Sequence, residues 1–359
     1  MQRSMFTGKL NEKTREIKDL FIGIDVHKRK WVVTVRTYDL ELTTFTISSP
    51  SAEKLERYLK RNYADMKYHL VYEAGFSGYS LYDYFHERGI DIIVTPPNRI
   101  HRDGSRVKTD TIDSRKLAVL LSRRMLRRVC VPSPKIREYR SIFQMYDRLT
   151  SQMRSVRNRI RSLLDFLGHP LANARWSKRL LDQLWEIEFT TWKLTRIFRK
   201  LLERYEFLQR QSREMEEVIR EIADDEELGD IIWTLRKIKG FGLITAIRLT
   251  VFLFSDPSRF PTAGSLVHYL GLTPSEHSSG GKERKGGTGY TGDRRLRSFI
   301  IELSWRLVRR DVTLLEKFES VYSRTGSKSK AIVAVARKLM VRIYTVIQRR
   351  EEYVTGLVA

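Results

Sequence analysis

Apolar and β-branched residues come in short runs near the start of the chain and in long helical stripes after it. "FIGIDV" (21–26) and "WVVTVRTY" (31–38) are rich in the residues strands favour, and "LTTFTIS" (42–48) alternates as a third strand does. "SAEKLERYLKRN" (51–62) predicts a helix capped by Ser51. "YHLVYEA" (68–74) reads as a fourth strand, and "GYSLYDYFHERG" (78–89) as an amphipathic helix ended by Gly89. "DIIVTPP" (91–97) is a fifth strand, stopped by Pro96 and Pro97. A further helix is predicted from about Thr109 to Arg124.

The order β-β-β-α-β-α-β-α, three meandering strands followed by alternation, is that of an RNase H-like domain, expected over 1–134. Pro132 and Pro134 mark its end. Residues 135–167 read as one long helix broken at "GHP" (168–170), and 172–225 as a second helical stretch. Together they predict a helical hairpin or coiled-coil arm over 135–225. In "TLRKIKGFGLITAIRLTVFL" (234–253) a Gly-x-Gly turn joins two helices. It suits a plain tight turn as well as a hairpin that offers backbone N–H groups to a phosphate. A glycine-rich loop follows, then a helix from about Asp293 to Arg309, in a mainly helical region over 226–359. The expected fold class is α/β plus all-α.

Charge narrows the partners. Lys and Arg number 67 against 43 Asp and Glu, a formal net charge of +24 over 359 residues. Such an excess points to a polyanion, nucleic acid before an anionic membrane surface. No long apolar run predicts a spanning helix, and the first twenty residues lack the apolar core of a signal peptide. Cys130 is the single cysteine, which excludes an internal disulfide and fits a cytoplasmic, nucleoid-associated protein. Residues 135–161 hold eight basic side chains and two acidic ones, with Arg154, Arg157 and Arg161 at helical spacing. That imbalance of sign favours phosphate contact over a merely solvated face.

Four carboxylates stand where charge is costly. Asp25 interrupts an apolar strand and Glu73 ends another. In "KTDTIDSRKLAVLL", Asp110 and Asp113 lie three apart, on the helical face continued by Leu117, Leu120 and Leu121, the side expected to be buried. Singly, each acid has a plain role: Asp110 as an N-cap, Asp113 against the helix dipole, Glu73 paired with an arginine. Together, from three elements, they predict an all-oxygen site for Mg²⁺, two ions about 4 Å apart being the usual clamp for phosphoryl chemistry. His27 and Lys28, directly after Asp25, read as a surface turn.

"GLTPSEHSSGGKERKGGTGYTG" (271–292) sets serines among glycines, with basic residues downstream. Glycine lets backbone approach a strand closely. Lys282, Arg284, Lys285, Arg294, Arg295 and Arg297 are placed to hold phosphates. A flexible loop with no chemistry fits the same composition.

The chain resembles the DEDD-type insertion-sequence transposases, the bridge-RNA-guided recombinases. "FIGIDVHKRKWVV", "YEAGFSGYSLYDYF", "GSRVKTDTIDSRKLA" and "GLTPSEHSSGGKERKGGTGYTGDRRLRSFIIELSW" carry the resemblance, in family order and over nearly the whole chain. It implies a RuvC-like catalytic domain with its four acids at Asp25, Glu73, Asp110 and Asp113, a helical arm, and a C-terminal transposase domain with a nucleophilic serine. That serine aligns with Ser279, directly before Gly280; Ser278 is the neighbouring alternative. The resemblance also implies a homo-oligomer, dimer or tetramer, in which acids of one protomer meet the serine of another. A structured noncoding guide RNA would pair with donor and target DNA. Ser114 departs from the pattern, standing in "TIDS" where many relatives carry a small apolar residue.

The resulting expectation is a metal-dependent DNA recombinase that mobilises an insertion sequence through a covalent step at Ser279. A junction-resolving nuclease that uses water on the same acids is one rival. A nucleic-acid-binding protein without catalysis is another, and it gains nothing from four converging acids.

Overall fold

The computed structural model describes residues 19–97, 110–171, 175–279, 282–288 and 292–356. The segment before the first strand and Thr109 lie outside them. The chain divides into two units, Met1–Val131 and Pro132–Ala359.

In the first unit, β1 (Asp19–Val26), β2 (Lys30–Arg36), β3 (Glu41–Ser48), β4 (Lys67–Glu73) and β5 (Asp91–Thr95) form one sheet in the order β3-β2-β1-β4-β5. β2 is antiparallel to both neighbours, while β1, β4 and β5 are parallel. Helices α1 (Ala52–Asn62) and α2 (Ser80–His86) cover one face. The Ser51 hydroxyl accepts from the Lys54 amide and so caps α1 as the sequence predicts. Helix α3 (Asp110–Ser122) covers the other face.

Strand parity assigns the residues to these faces. Leu20, Ile22 and Ile24 join the core under α1 and α2, whereas Phe21 packs with Leu117 and Leu121 of α3. Gly23 and Asp25 share the parity of Phe21. Val71 of β4 also packs under α3, and Glu73 is two residues further on. Ile24 pairs with Tyr72 across the parallel β1–β4 ladder, so the next step of the register sets Asp25 beside Glu73.

Gly23 lets α3 settle onto the sheet. A Cβ there would come within 2.2 Å of the Ser114 carbonyl oxygen and 2.5 Å of the Ala118 nitrogen. The helix is also tied down by hydroxyls: Thr34 of β2 shares hydrogen bonds of 2.9 Å with both Ser114 and Thr44. Ser114 is fully buried and also bonds the Thr111 carbonyl. The departure at "TIDS" is thus a fastening between α3 and β2. Of the leucines expected inward, Leu117 and Leu121 are buried and Leu120 is half-buried.

In the second unit, α4 (Pro134–Phe166), α5 (Lys178–Trp185) and α6 (Trp192–Glu221) share a core. Val156, Ile160 and Leu164 of α4 meet Phe198, Leu202 and Tyr205 of α6 at helical spacing. The single helical stretch expected over 172–225 is therefore two helices. The break, "EIEFTT" (186–191), is rich in β-branched and aromatic residues of modest helix propensity. There the Phe189 amide donates to the Thr195 hydroxyl rather than to a helical carbonyl, and its ring meets Phe198 edge-on.

Helices α7 (Gly229–Arg236), α8 (Leu243–Leu249, continued by a π-turn), α9 (Ala263–Tyr269), α10 (Arg294–Leu307), α11 (Val312–Thr325) and α12 (Lys328–Arg349) build a second core. Gly240, at φ +105°, makes the turn between α7 and α8. The glycine-rich segment expected as a loop is a hairpin, β6 (Pro274–Ser279) against β7 (Lys282–Thr288). Ser279 pairs with Lys282 across a two-residue Gly-Gly connection, a favoured hairpin sequence.

Candidate active site

Helix α3 opens over the end of the sheet where β1 and β4 finish, and its first turn carries Asp110 and Asp113. Asp25 and Glu73 reach the same end on the same face. Three of the predicted acids stand close enough to feel one another: the charges of Asp110 and Asp113 both act on Asp25. Glu73 joins them by strand register.

Two further residues enter this site: His27, which the sequence placed on a surface turn, and Lys30, which the sequence did not single out. His27 Nε2 lies 3.1 Å from Asp25 Oδ2 and 3.5 Å from Asp110 Oδ1. Lys30 Nζ lies 2.5 Å from Asp110 Oδ2. The signal for His27 was available: it stands two residues beyond Asp25, and positions i and i+2 of an extended strand share a face. The His27 amide donates to the Lys30 carbonyl, closing the turn that brings both side chains back over the acids.

Burial pushes the Asp25 carboxyl up, and Asp110 and Asp113 push it further, against the pull of His27. Asp110 is held below the usual carboxylate range by its hydrogen bond and charge contact with Lys30, and Lys30 is raised in return. The site thus concentrates negative charge, and the Lys30 ammonium and the His27 imidazole answer it at Asp25 and Asp110.

The donors fit a divalent ion. One ligand atom each from Asp25, His27 and Asp110 lie within 4.8 Å of one another. Around a six-coordinate ion with bonds of about 2.1 Å, adjacent donors stand about 3.0 Å apart, close to the 3.1 and 3.5 Å found here. Asp25 and Asp110 are 20% and 36% exposed, so an ion reaches them without opening the core.

Of the predicted nucleic-acid contacts, Arg154 is exposed on α4. With Ser151, Ser155, Asn158 and Arg159 it lines a shallow, open patch of the helix surface. Arg157 instead serves the fold: it donates to the Tyr205 hydroxyl at 2.8 and 3.1 Å and lies 5.6 Å from the Trp176 ring centre. Arg161 lies 5.9 Å from the same ring. Arg294 and Arg295 are exposed on the first turn of α10, whose N-cap is Asp293. Arg297 donates to the Gly271 carbonyl. Ser278 and Ser279 end β6, and Lys282, Arg284 and Lys285 lie on β7; the structure describes the backbone of this hairpin. The acids belong to the first unit and the serines to the second.

Known proteins share this chain's pattern across both units. A DEDD-type IS110 transposase model matches residues 22–169. A second model, the transposase IS116/IS110/IS902 family, matches residues 233–320. The protein y4qE of Sinorhizobium fredii, which carries a transposase name, is 28% identical over 337 residues, 90% of this chain and 83% of its own. The transposase for insertion sequence element IS1533 of Leptospira borgpetersenii is 25% identical over 340 residues, 91% and 95% of the two chains. The pilin gene-inverting protein of Moraxella lacunata is 30% identical over 121 residues, 33% of this chain and 37% of its own.

The two models follow in order along the chain, over residues 22–169 and 233–320. The chain belongs to the DEDD-type insertion-sequence transposases, and it is an enzyme that acts on DNA. Among the described residues, no helix is long and apolar enough to cross a membrane.

Proposed function

We propose that this transposase cuts and rejoins the DNA of an insertion sequence through a phosphoserine link, with Asp25, Glu73, Asp110 and Asp113 holding Mg²⁺. The first unit is then a RuvC-like RNase H-fold domain, in keeping with its sheet order and the antiparallel β2. Helices α4 and α6 form the coiled-coil arm, and residues 226–359 the transposase domain. The observation that carries this reading is the convergence of the acids, fixed by strand parity and by Gly23 under α3.

Bound divalent ions would polarise the scissile phosphate and offset the charge that builds on its oxygens. The protein's part is to hold and position. Asp25 and Asp110 present oxygens from a strand and a helix that Gly23, Thr34 and Ser114 lock together. Ser279 Oγ gives up its proton and attacks phosphorus; a new O–P bond forms, a bridging strand O–P bond breaks, and the departing oxygen takes up a proton, so that none is gained or lost overall. Bond energy is kept in the phosphoserine ester, so a strand hydroxyl can later attack it and release Ser279 Oγ. Lys282, Arg284, Lys285, Arg294, Arg295 and Arg297 supply phosphate contacts near the nucleophile, and Arg154 supplies them along the arm. Arg157 and Arg161 act with Arg154 from the inner side of the same stretch, by holding it to Trp176 and Tyr205. A noncoding guide RNA that pairs with donor and target DNA, and a homo-oligomer that brings serine and acids together between protomers, complete the proposal.

Labelled donor DNA incubated with the protein and Mg²⁺, then denatured, tests the covalent step. A protein–DNA adduct lost in Ser279→Ala and kept in Ser278→Ala is expected. Cut ends without any adduct would instead support hydrolysis by water.

A further inference from the structure

We propose that His27 is itself a ligand of the ion held at Asp25 and Asp110, so that this ion sits in a mixed nitrogen–oxygen site that prefers manganese-like ions to magnesium. The inference rests on the metal reading above and adds a donor that the acids alone do not supply.

Three features carry it. His27 Nε2 faces both carboxylates at once, 3.1 Å from one oxygen and 3.5 Å from the other. These are separations of neighbouring donors on one ion, so a cation seated between the acids also meets the imidazole. The ring is held there from behind, because the turn after β1 is closed by the His27 amide on the Lys30 carbonyl and by the Ser49 amide on the Arg29 carbonyl. The side chain is also 43% exposed, so nothing in the core requires an imidazole at this point.

The chemistry follows from the donor set. Neutral imidazole is a common ligand for Mn²⁺, Fe²⁺, Co²⁺ and Zn²⁺, whereas Mg²⁺ favours oxygen and keeps its waters. Asp113 and Glu73 are left to complete this site or to hold a second, all-oxygen one. Lys30, which bonds the outer oxygen of Asp110, is the cation an incoming ion displaces or sits beside.

Pulsed electron paramagnetic resonance on the full chain loaded with Mn²⁺ tests the assignment without any turnover. A nitrogen coupling of the size given by directly bound imidazole is expected in the wild type. It should vanish in His27→Ala and in His27→Gln, both of which should still bind Mn²⁺. In competition with Mg²⁺, the preference for Mn²⁺ should fall by about tenfold or more in both variants. Asp110→Asn should weaken Mn²⁺ binding, which places the ion in this site. Mn²⁺ bound by the wild type without nitrogen coupling, or with a coupling that survives His27→Ala, would overturn the His27 assignment and leave the acid site standing. Failure of the wild type to bind Mn²⁺ or Mg²⁺ would remove the metal reading itself, and this inference with it.

Discussion

Two aspartates, one in each unit, show how differently a fold can keep a carboxylate. Asp311 is 3% exposed, and its needs are met within the protein. It caps α11 through the Thr313 and Leu314 amides, pairs with Arg342 at 2.8 Å, and accepts from the Tyr353 hydroxyl at 2.6 Å. Burial, with this hydrogen bond, pushes the Tyr353 phenol well above its usual range. Asp25 lies on its sheet among like charges, pushed up by burial and by Asp110 and Asp113. Its cluster is open to solvent, and Lys30 spends its contact on Asp110. A satisfied carboxylate is part of the scaffold. A crowded one, held by backbone and hydroxyl ties in an arrangement that costs electrostatic energy, is set up for a cation from outside.

The largest effect expected from breaking this contrast lies at the scaffold acid. Asp311→Ala leaves Arg342 buried without its carboxylate and should cost about 3–5 kcal/mol, read as a lower denaturation midpoint. The first unit should keep its metal affinity in this variant if it folds independently.

Gly23→Ala should come next. The added methyl meets the backbone of α3 at 2.2 Å, an overpacking that typically costs about 1–3 kcal/mol. Because the helix that must move carries Asp110 and Asp113, divalent-ion binding by calorimetry should weaken along with stability. A loss of stability with full ion binding would show that the acids do not depend on this close approach.

The smallest effect is in the sign of the pH dependence without metal. Asp25 is raised above its ordinary 3.8 in the folded protein, so its stabilising contribution is full below that value and lost as pH rises through the folded pKa. At neutral pH it is a burden, and metal-free Asp25→Asn should melt at or above the wild type. Asp110 is lowered, so its contribution is present above 3.8 and lost as pH falls through the folded pKa. Asp110→Asn should therefore melt slightly below the wild type at neutral pH. Saturating Mg²⁺ or Mn²⁺ should reverse the first comparison by stabilising the wild type, by about 2.7 kcal/mol at a hundredfold excess over Kd.

The strands were legible because their pattern is local: "FIGIDV" and "YHLVYEA" carry β-branched and aromatic residues that suit nothing else as well. Asp25 and Glu73 could be suspected from the same runs, since a carboxylate in an apolar strand announces its cost, and Asp110 and Asp113 from their spacing on the helical face of Leu117. What was not legible depended on tertiary approach. His27 looked like a surface turn because its partner Asp110 is distant in sequence. Arg157 looked like Arg154, although Tyr205 and Trp176 reach only the former. Ser114 read only as a departure from the family pattern, and its tie to the Thr34 hydroxyl of β2 needed the fold. The serine hairpin was hidden by composition: glycine suggested a loop, while the two-residue Gly-Gly connection held the hairpin signal.

The most direct test is a crystal of the full chain soaked in Mn²⁺ and measured for anomalous scattering. A peak within bonding distance, about 2.2 Å, of Asp25 and Asp110 oxygens is expected, with Glu73 or Asp113 completing its shell. A bound ion found only elsewhere, with Asp25 and Asp110 still paired to His27 and Lys30 as they are without metal, would contradict the assignment of this cluster as the catalytic metal site.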